Sequence, residues 1–358
     1  MSSSLRKFLT FAPELSCAGL CIALSAHLLL AGAPAQQPPA QIPPVAALSP
    51  FIDVHVHMEH VDAERSVEAA VQAESKENAA KIIFMPSPFT VEDPARFDVE
   101  FFLAAIKKYP GKLAFLGGGN ALNVMIQQAV SSGDAGPAVR KKFRENAEEI
   151  LRQGAIGFGE VTASHLPSAA SPTYQSAPPD HPLFLLLADI AARHGVPIDL
   201  HMEAVPETMP LPSNLKSPPN PPQLQGNIAG FERLLAHNPR AKIVWAHAGT
   251  TDNTGFRTPD LCRRLLAAHP NLYMEIKVDP LNPGKNPPLA GGKITPEWLK
   301  LFQDFPDRFV IGSDQFYPEA GSNPQRWQAV VNLFNQLPED LRRKIGMENA
   351  ERIYFGKH

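Results

Sequence analysis

FIDVHVH, residues 51–57, alternates β-favouring apolar residues with Asp53, His55 and His57. On a strand, successive side chains point to opposite faces, so these three polar residues share one face. A half-exposed edge strand would turn that face to water. A buried strand would need something to receive two imidazoles and a carboxylate, and the rest of the chain decides between these readings.

Outward from this stretch, short apolar runs recur. They are KIIFMP (81–86), KLAFLGG (112–118), AIGFGEV (155–161), VPIDLHM (196–202), KIVWAHA (242–248), NLYMEIKV (271–278) and RFVIGSD (308–314). With the first they make eight. Between them lie amphipathic segments such as PLFLLLADIAARHG and TPDLCRRLLAAHP, several closing on Gly or His-Pro as helices do. Strands alternating with helices imply parallel βαβ units. Eight units over about 300 residues predict a single-domain α/β fold, a (β/α)₈ TIM barrel. A doubly wound open sheet is the alternative, but no Gly-rich phosphate loop follows the first strand. Two Pro-rich connections, residues 203–226 and 279–296, leave strand C-termini and are expected to wall the mouth of the barrel.

The unusual polar residues fall at strand C-terminal ends: His55 and His57, Glu160, His201, His247 and Asp314. Each alone could be an ordinary strand-end or helix-capping residue. Together they offer six donors to one rim, where a divalent cation would offset the desolvation of all of them. Imidazole nitrogens and carboxylate oxygens without thiolate suit Zn²⁺, with Mn²⁺, Fe²⁺ or Co²⁺ as alternatives. Six groups suffice for two ions sharing a carboxylate, or for one ion with acid/base residues to spare. Substrate-binding candidates near the mouth are Arg257, Lys277, His165 and Glu203. Lys277 could instead pair with Glu275, two residues away on its strand. Trp245 is expected inside the barrel, and Asp53 is expected to hydrogen-bond His55 from behind.

The motifs DVHVH, LHM, WAHAG and IGSDQ, with the closing IGMENAERIYFG, resemble the amidohydrolase superfamily over residues 50–358. The resemblance implies a metal-dependent hydrolase in which His55, His57 and Asp314 hold one ion and His201 a second. By the same analogy Asp314 shuttles protons. GFGEV is similar to the strand-four Glu of TatD-like binuclear members, and no strand-four Lys is present for carbamylation. In the decarboxylase-like branch, typified by aminocarboxymuconate-semialdehyde decarboxylase, one metal is used and the strand-six His, here His247, is an acid/base group. The reaction expected is hydrolysis of an amide, ester or lactone in a small molecule, with mononuclear decarboxylation as the alternative. A non-enzymatic periplasmic metal- or solute-binding protein is a third reading, weakened by the unbroken single-barrel period.

The 358 residues carry a formal charge of −3 and no Lys/Arg-rich run, so no nucleic-acid partner is expected. Arg6 and Lys7, the apolar run after them and Ala33–Ala35 have the layout of a signal peptide over residues 1–35, followed by a Pro-rich linker over 36–49. An uncleaved anchor is the competing reading. Cleavage predicts a periplasmic or secreted protein with no stable membrane partner, free to form homo-oligomers, and leaves Cys262 as its one thiol.

Overall fold

The apolar runs pair as parallel strands, and the path they make returns to its start. A computed structural model describes residues 49–58, 63–90, 99–167, 173–215, 219–249, 254–280, 283–318 and 324–356. These belong to the compact unit Val45–His358. The expected leader and nearly all of the spacer lie outside the described residues.

The strands are β1 (Phe51–Met58), β2 (Ala79–Phe84), β3 (Leu113–Phe115, continued as Gly117–Gly118) and β4 (Phe158–His165). There follow β5 (Pro197–Met202), β6 (Lys242–Ala248), β7 (Leu272–Ile276) and β8 (Phe309–Ile311, resumed as Gln315–Tyr317). The sheet order is β3, β2, β1, β8, β7, β6, β5, β4 and then β3 again. Closure happens at Leu116. On one side Phe115 is in register with Phe84 of β2, and on the other Gly117 is in register with Phe158 of β4. Leu116 N donates to Phe84 O at 2.8 Å and Gly117 N to Gly157 O at 3.2 Å, so no edge is left open between the two pieces. The barrel expected from the period is present.

Two apolar layers line the strands, and strict alternation between them is interrupted where the register shifts, between Asp53 and Val56 in β1 and between Phe158 and Val161 in β4. Val56, Phe158, Val161, Ile198, Leu200, Ile243 and Met274 face the helices and share the main core with Phe143, Phe184, Phe231 and Trp298. Ile52, Val54, Ile83, Leu116, Val244, Tyr273 and Val310 form a second cluster, to which the closing helix Asn349–Tyr354 adds Ala350, Ile353 and Tyr354. That helix packs on the barrel's inner residues. Asn349 Nδ2 fixes its start by donating to the carbonyls of Pro306 and Phe309, both at 2.8 Å, and Lys242 Nζ caps its end at Ile353 O, 2.9 Å.

Helix starts are set by chemistry legible in the chain. Pro182, Pro259 and Pro296 sit in the first turn, where a missing N–H costs nothing. Thr258 Oγ1 accepts from Leu261 N at 3.1 Å. The long connections are structured: Met209–Pro210 pairs with Gln223–Leu224, and Leu289–Ala290 with Lys293–Ile294, each antiparallel. Leu166, Val205, Leu215 and Leu224 bury one another in a small cluster beyond β4 and β5, which stiffens that wall.

Candidate metal centre

In β1, alternation places His55 and His57 on one face, and their Nε2 atoms meet at 3.0 Å. His57 Nδ1 lies 3.0 Å from Met85 O, an acceptor, so that nitrogen carries the proton and Nε2 is left as a lone-pair donor aimed inward. Behind His55 stands Asp199, its Oδ1 3.5 Å from Nδ1, a charge contact without a hydrogen bond between them. Asp314 brings Oδ1 to 3.2 Å from His57 Nε2 and 3.8 Å from His55 Nε2. His55, His57 and Asp314 can therefore present three ligand atoms to one point, within 4.8 Å of one another.

Glu160 of β4 faces both ways. Its Oε2 lies 3.4 Å from His57 Nε2 and 3.8 Å from His55 Nε2. Its Oε1 lies 2.8 Å from His201 Nδ1 and 3.1 Å from His247 Nε2. One carboxylate thus stands between two histidine pairs.

His247 and Asp314 have left-handed backbones, φ +64° and +48°. Non-glycine residues pay for this conformation and hold it only where surroundings dictate it. At His247, Glu275 of β7 does so: Oε2 accepts from the backbone N at 2.6 Å and lies 3.0 Å from ring Nδ1. The turn interrupts the register between Trp245 and Ala248 and breaks the parity of β6. Trp245 accordingly corrects the expectation of an inward ring: it packs on Phe231 of the helix Ile228–His237, ring centroids 5.0 Å apart.

Several other expected roles are placed differently. Glu275 does not pair with Lys277. It serves His247, while Lys277, 3 % exposed, donates to Asp314 Oδ2. Arg257 does not reach into the mouth as a substrate grip. Its guanidinium is buried, donates to the carbonyls of Ala246 and Met202, and lies 4.3 Å over the Trp245 ring. His165 ends β4 instead of lying on a loop, and its Nδ1 is 3.2 Å from His201 Nε2. Glu203 Oε1 lies 3.4 Å from the same nitrogen and accepts from Leu166 N at 3.1 Å. Asp53 supports backbone and not a ring, accepting from His55 N at 3.1 Å and Ser313 N at 3.0 Å. The residue missed by sequence reading is Asp199. Its signal was available, since it precedes His201 by two on β5 and shares that strand's polar parity.

The charge at this rim is one-sided. Glu160, Asp199, Glu203, Glu275 and Asp314 are buried, and the buried cations among the described residues are Lys277 and Arg257. Burial opposes ionisation of Glu160, yet the rings of His201, His247, His55 and His57 hold it well below the usual carboxylate range. Burial likewise opposes Asp314, and Lys277 with the nearby rings outweighs it. On the rings, burial works against charge, but Asp199 and Glu160 raise His55, Asp314 and Glu160 raise His57, and Glu203 with Glu160 lifts His201 to about 10. These carboxylates call for positive charge between them. Lone-pair nitrogens facing one another with carboxylates alongside fit a divalent cation of the Zn²⁺, Mn²⁺, Fe²⁺ or Co²⁺ kind. His55, His57, Asp314 and Glu160 Oε2 could hold one ion, and Glu160 Oε1, His201 Nδ1 and His247 Nε2 a second.

A family model described as amidohydrolase matches residues 169–356, more than half of the chain. The chain belongs to the amidohydrolase family. It is accordingly an enzyme of that superfamily, whose members typically bind divalent metals. No curated protein matches the amidohydrolase chain. Among solved structures it is similar to 2,6-dihydroxybenzoate decarboxylase from Rhizobium, at 14 % identity and TM-score 0.49, covering 87 % of this chain and 99 % of that one. A dihydroorotase aligns at 12 % identity and TM-score 0.46 over 85 % of this chain and 71 % of its own. A lactonase template engineered for organophosphate hydrolysis aligns at 15 % identity and TM-score 0.47, over 87 % and 96 %. At such identities and scores these chains say nothing about this one's substrate.

Proposed function

We propose that this amidohydrolase hydrolyses a C–N or C–O acyl bond, in an amide, ester or lactone of a small molecule. The observation that carries the reading is Glu160, one carboxylate oxygen toward His55 and His57 and the other toward His201 and His247. When bound, divalent cations there would acidify water and polarise a carbonyl. The remaining work falls to the chain. Asp314, kept ionised by Lys277, takes the proton of the attacking water as the new C–O bond forms, and returns it to the leaving nitrogen or oxygen as the acyl bond breaks. His247, oriented by Glu275 through both its backbone and its ring, brings its Nε2 to 3.1 Å from Glu160 Oε1 and 4.0 Å from Asp314 Oδ2.

The Glu275–His247 pair also suits a mononuclear decarboxylase, in which a backed imidazole moves a proton. The two are separated by assaying the Zn²⁺-loaded protein on esters, lactones, amides and carboxylated aromatics. Hydrolysis of an acyl substrate, abolished by chelator and by Asp314→Asn with metal retained, supports the proposal. Release of CO₂ without acyl hydrolysis, or full turnover by Asp314→Asn, overturns it.

The leader-like residues 1–35 support export to the periplasm or beyond, and the single remaining thiol, buried Cys262, is consistent with that. Among the described residues no helix is long and apolar enough to cross a membrane. N-terminal sequencing of the exported chain tests this: a start at residue 36 is expected, and a retained Met1 refutes it.

A further inference from the structure

His201 has two faces. Its Nδ1 points to Glu160, while its Nε2 points away, to His165 Nδ1 at 3.2 Å and Glu203 Oε1 at 3.4 Å; His165 Nδ1 and Glu203 Oε1 are 3.9 Å apart. We propose that His165, His201 and Glu203 form a further cation seat, outside the centre flanking Glu160, that takes a divalent ion such as Zn²⁺. The seat shares His201 with that centre but does not rest on the hydrolytic reading, since neither Glu160 nor Asp314 belongs to it.

Three features support the seat. The first is spacing: ligands about 2.0–2.1 Å from a tetrahedral ion lie about 3.4 Å from one another, close to the separations here. The second is the donor set, two imidazole nitrogens and one carboxylate oxygen, whose atoms fall within 4.8 Å of one another. The third is unspent donor capacity. Glu203 is 2 % exposed, yet its Oε2 finds no hydrogen-bond partner among the described residues. A buried, unpartnered carboxylate oxygen is costly. A cation on Oε1 neutralises that carboxylate and gives both oxygens a counter-charge.

Local structure makes the seat rigid on two sides. Glu203 accepts from Leu166 N at 3.1 Å, and Leu166 is anchored in the apolar cluster with Val205, Leu215 and Leu224. His165 is the last residue of β4 and its side chain is 22 % exposed, so the seat lies near solvent. Since His201 would serve ions through both nitrogens and yield its ring proton to solvent, this seat fills after the inner positions.

The test is anomalous diffraction at the zinc edge from crystals equilibrated with excess Zn²⁺, combined with equilibrium dialysis. The expected result is density bounded by His165 Nδ1, His201 Nε2 and Glu203 Oε1, distinct from any density flanking Glu160. Dialysis should show one ion fewer per chain in both Glu203→Gln and His165→Ala. Because His165 is partly exposed, His165→Ala serves as the variant that folds if Glu203→Gln does not. No density at the seat, or equal ion counts in the parent and both variants, overturns the proposal and leaves His165 and Glu203 as orienting partners of His201. Missing density beside Glu160 would count against the hydrolytic reading instead.

Discussion

Replacing Lys277 by Met probes the contact on which the proposed proton transfer depends. Met keeps an unbranched apolar stem of similar length but removes the ammonium that donates to Asp314 Oδ2. Burial pushes the Asp314 carboxyl up, and Lys277 is foremost among the groups that hold it well below the usual range. A cation beside a carboxylate depresses its pKa by about 1–3 units, which corresponds to roughly 1.4–4 kcal/mol of preference for the ionised form. The sign follows directly. Asp314 accepts a proton only when ionised, so the acidic limb of kcat/KM should move upward in Lys277→Met. The assay is a pH profile of acyl hydrolysis with metal content measured across the same range. An unmoved limb with metal retained would show that Lys277 does not set the charge of Asp314. A limb shifted only because metal is lost would implicate ligation and not proton transfer, and the metal measurement tells the two apart.

Three further outcomes are expected. A methyl at Gly312 would lie 2.4 Å from Glu275 Oε1 and 2.7 Å from His55 Cβ, so Gly312→Ala should displace one or both. Overpacking of this kind costs about 1–3 kcal/mol, and disturbing the partners of a ligand costs about 10–100-fold in metal affinity. Urea unfolding and competition with a chromophoric chelator read these two effects, and parent-like values in both would refute the steric argument. Glu74, on the buried face of the helix Ala63–Lys76, has no partner for either carboxylate oxygen among the described residues, and burial raises it well above its usual range. The folded state therefore keeps this proton to higher pH than the unfolded state. Stability falls as pH rises between the two pKa values, by about 1.4 kcal/mol per unit for one proton, and the full contribution is present only below the unfolded value. Glu74→Gln should flatten that slope in denaturant melts of metal-saturated protein, and an unchanged slope would exclude Glu74 as its source. Finally, chelation should lower the melting temperature, because the ions offset buried carboxylates in the folded state only; an identical melting curve with and without chelator contradicts the proposed ligation.

Much of the barrel was written in the chain because fully buried parallel strands read as continuous apolar runs, and the eight runs gave eight strands. β4 was misplaced by several residues for a physical reason. Its second half, TASH, carries no apolar signal, yet Thr162 and Ser164 are buried, and Thr162 N is held by Asn123 Oδ1 at 2.8 Å. That burial comes from tertiary contacts. Lys277 and Glu275 illustrate a second limit. Same-face neighbours along one strand are nearly 7 Å apart, whereas adjacent strands lie about 4.8 Å apart. The partners therefore come from β6 and from the break in β8, which no local pattern discloses. The Trp245 expectation failed because alternation assumes an unbroken strand, and a left-handed residue at His247 resets the parity.

The two left-handed residues also indicate how this rim is held. His247 is the next-to-last residue of β6 and Asp314 lies in the break between the two pieces of β8, and at each the left-handed backbone is a conformation that a non-glycine residue keeps only under constraint. Strain of that kind persists only if something resists its relaxation. At His247 the resistance is the Glu275 carboxylate, grasped by both backbone and ring. At Asp314 it is the contact with Lys277 on one oxygen, the His57 ring on the other, and a backbone bond from Asp314 N to His55 O at 2.9 Å. Each strained residue is thus fixed by groups on neighbouring strands, so the aim of the donors depends on closure of the barrel. Gly312 is part of the same arrangement, since its missing side chain is the space that Glu275 Oε1 and His55 Cβ occupy. A change that opens the β7–β8 pairing should therefore scatter the ligands before it unfolds the helices around them.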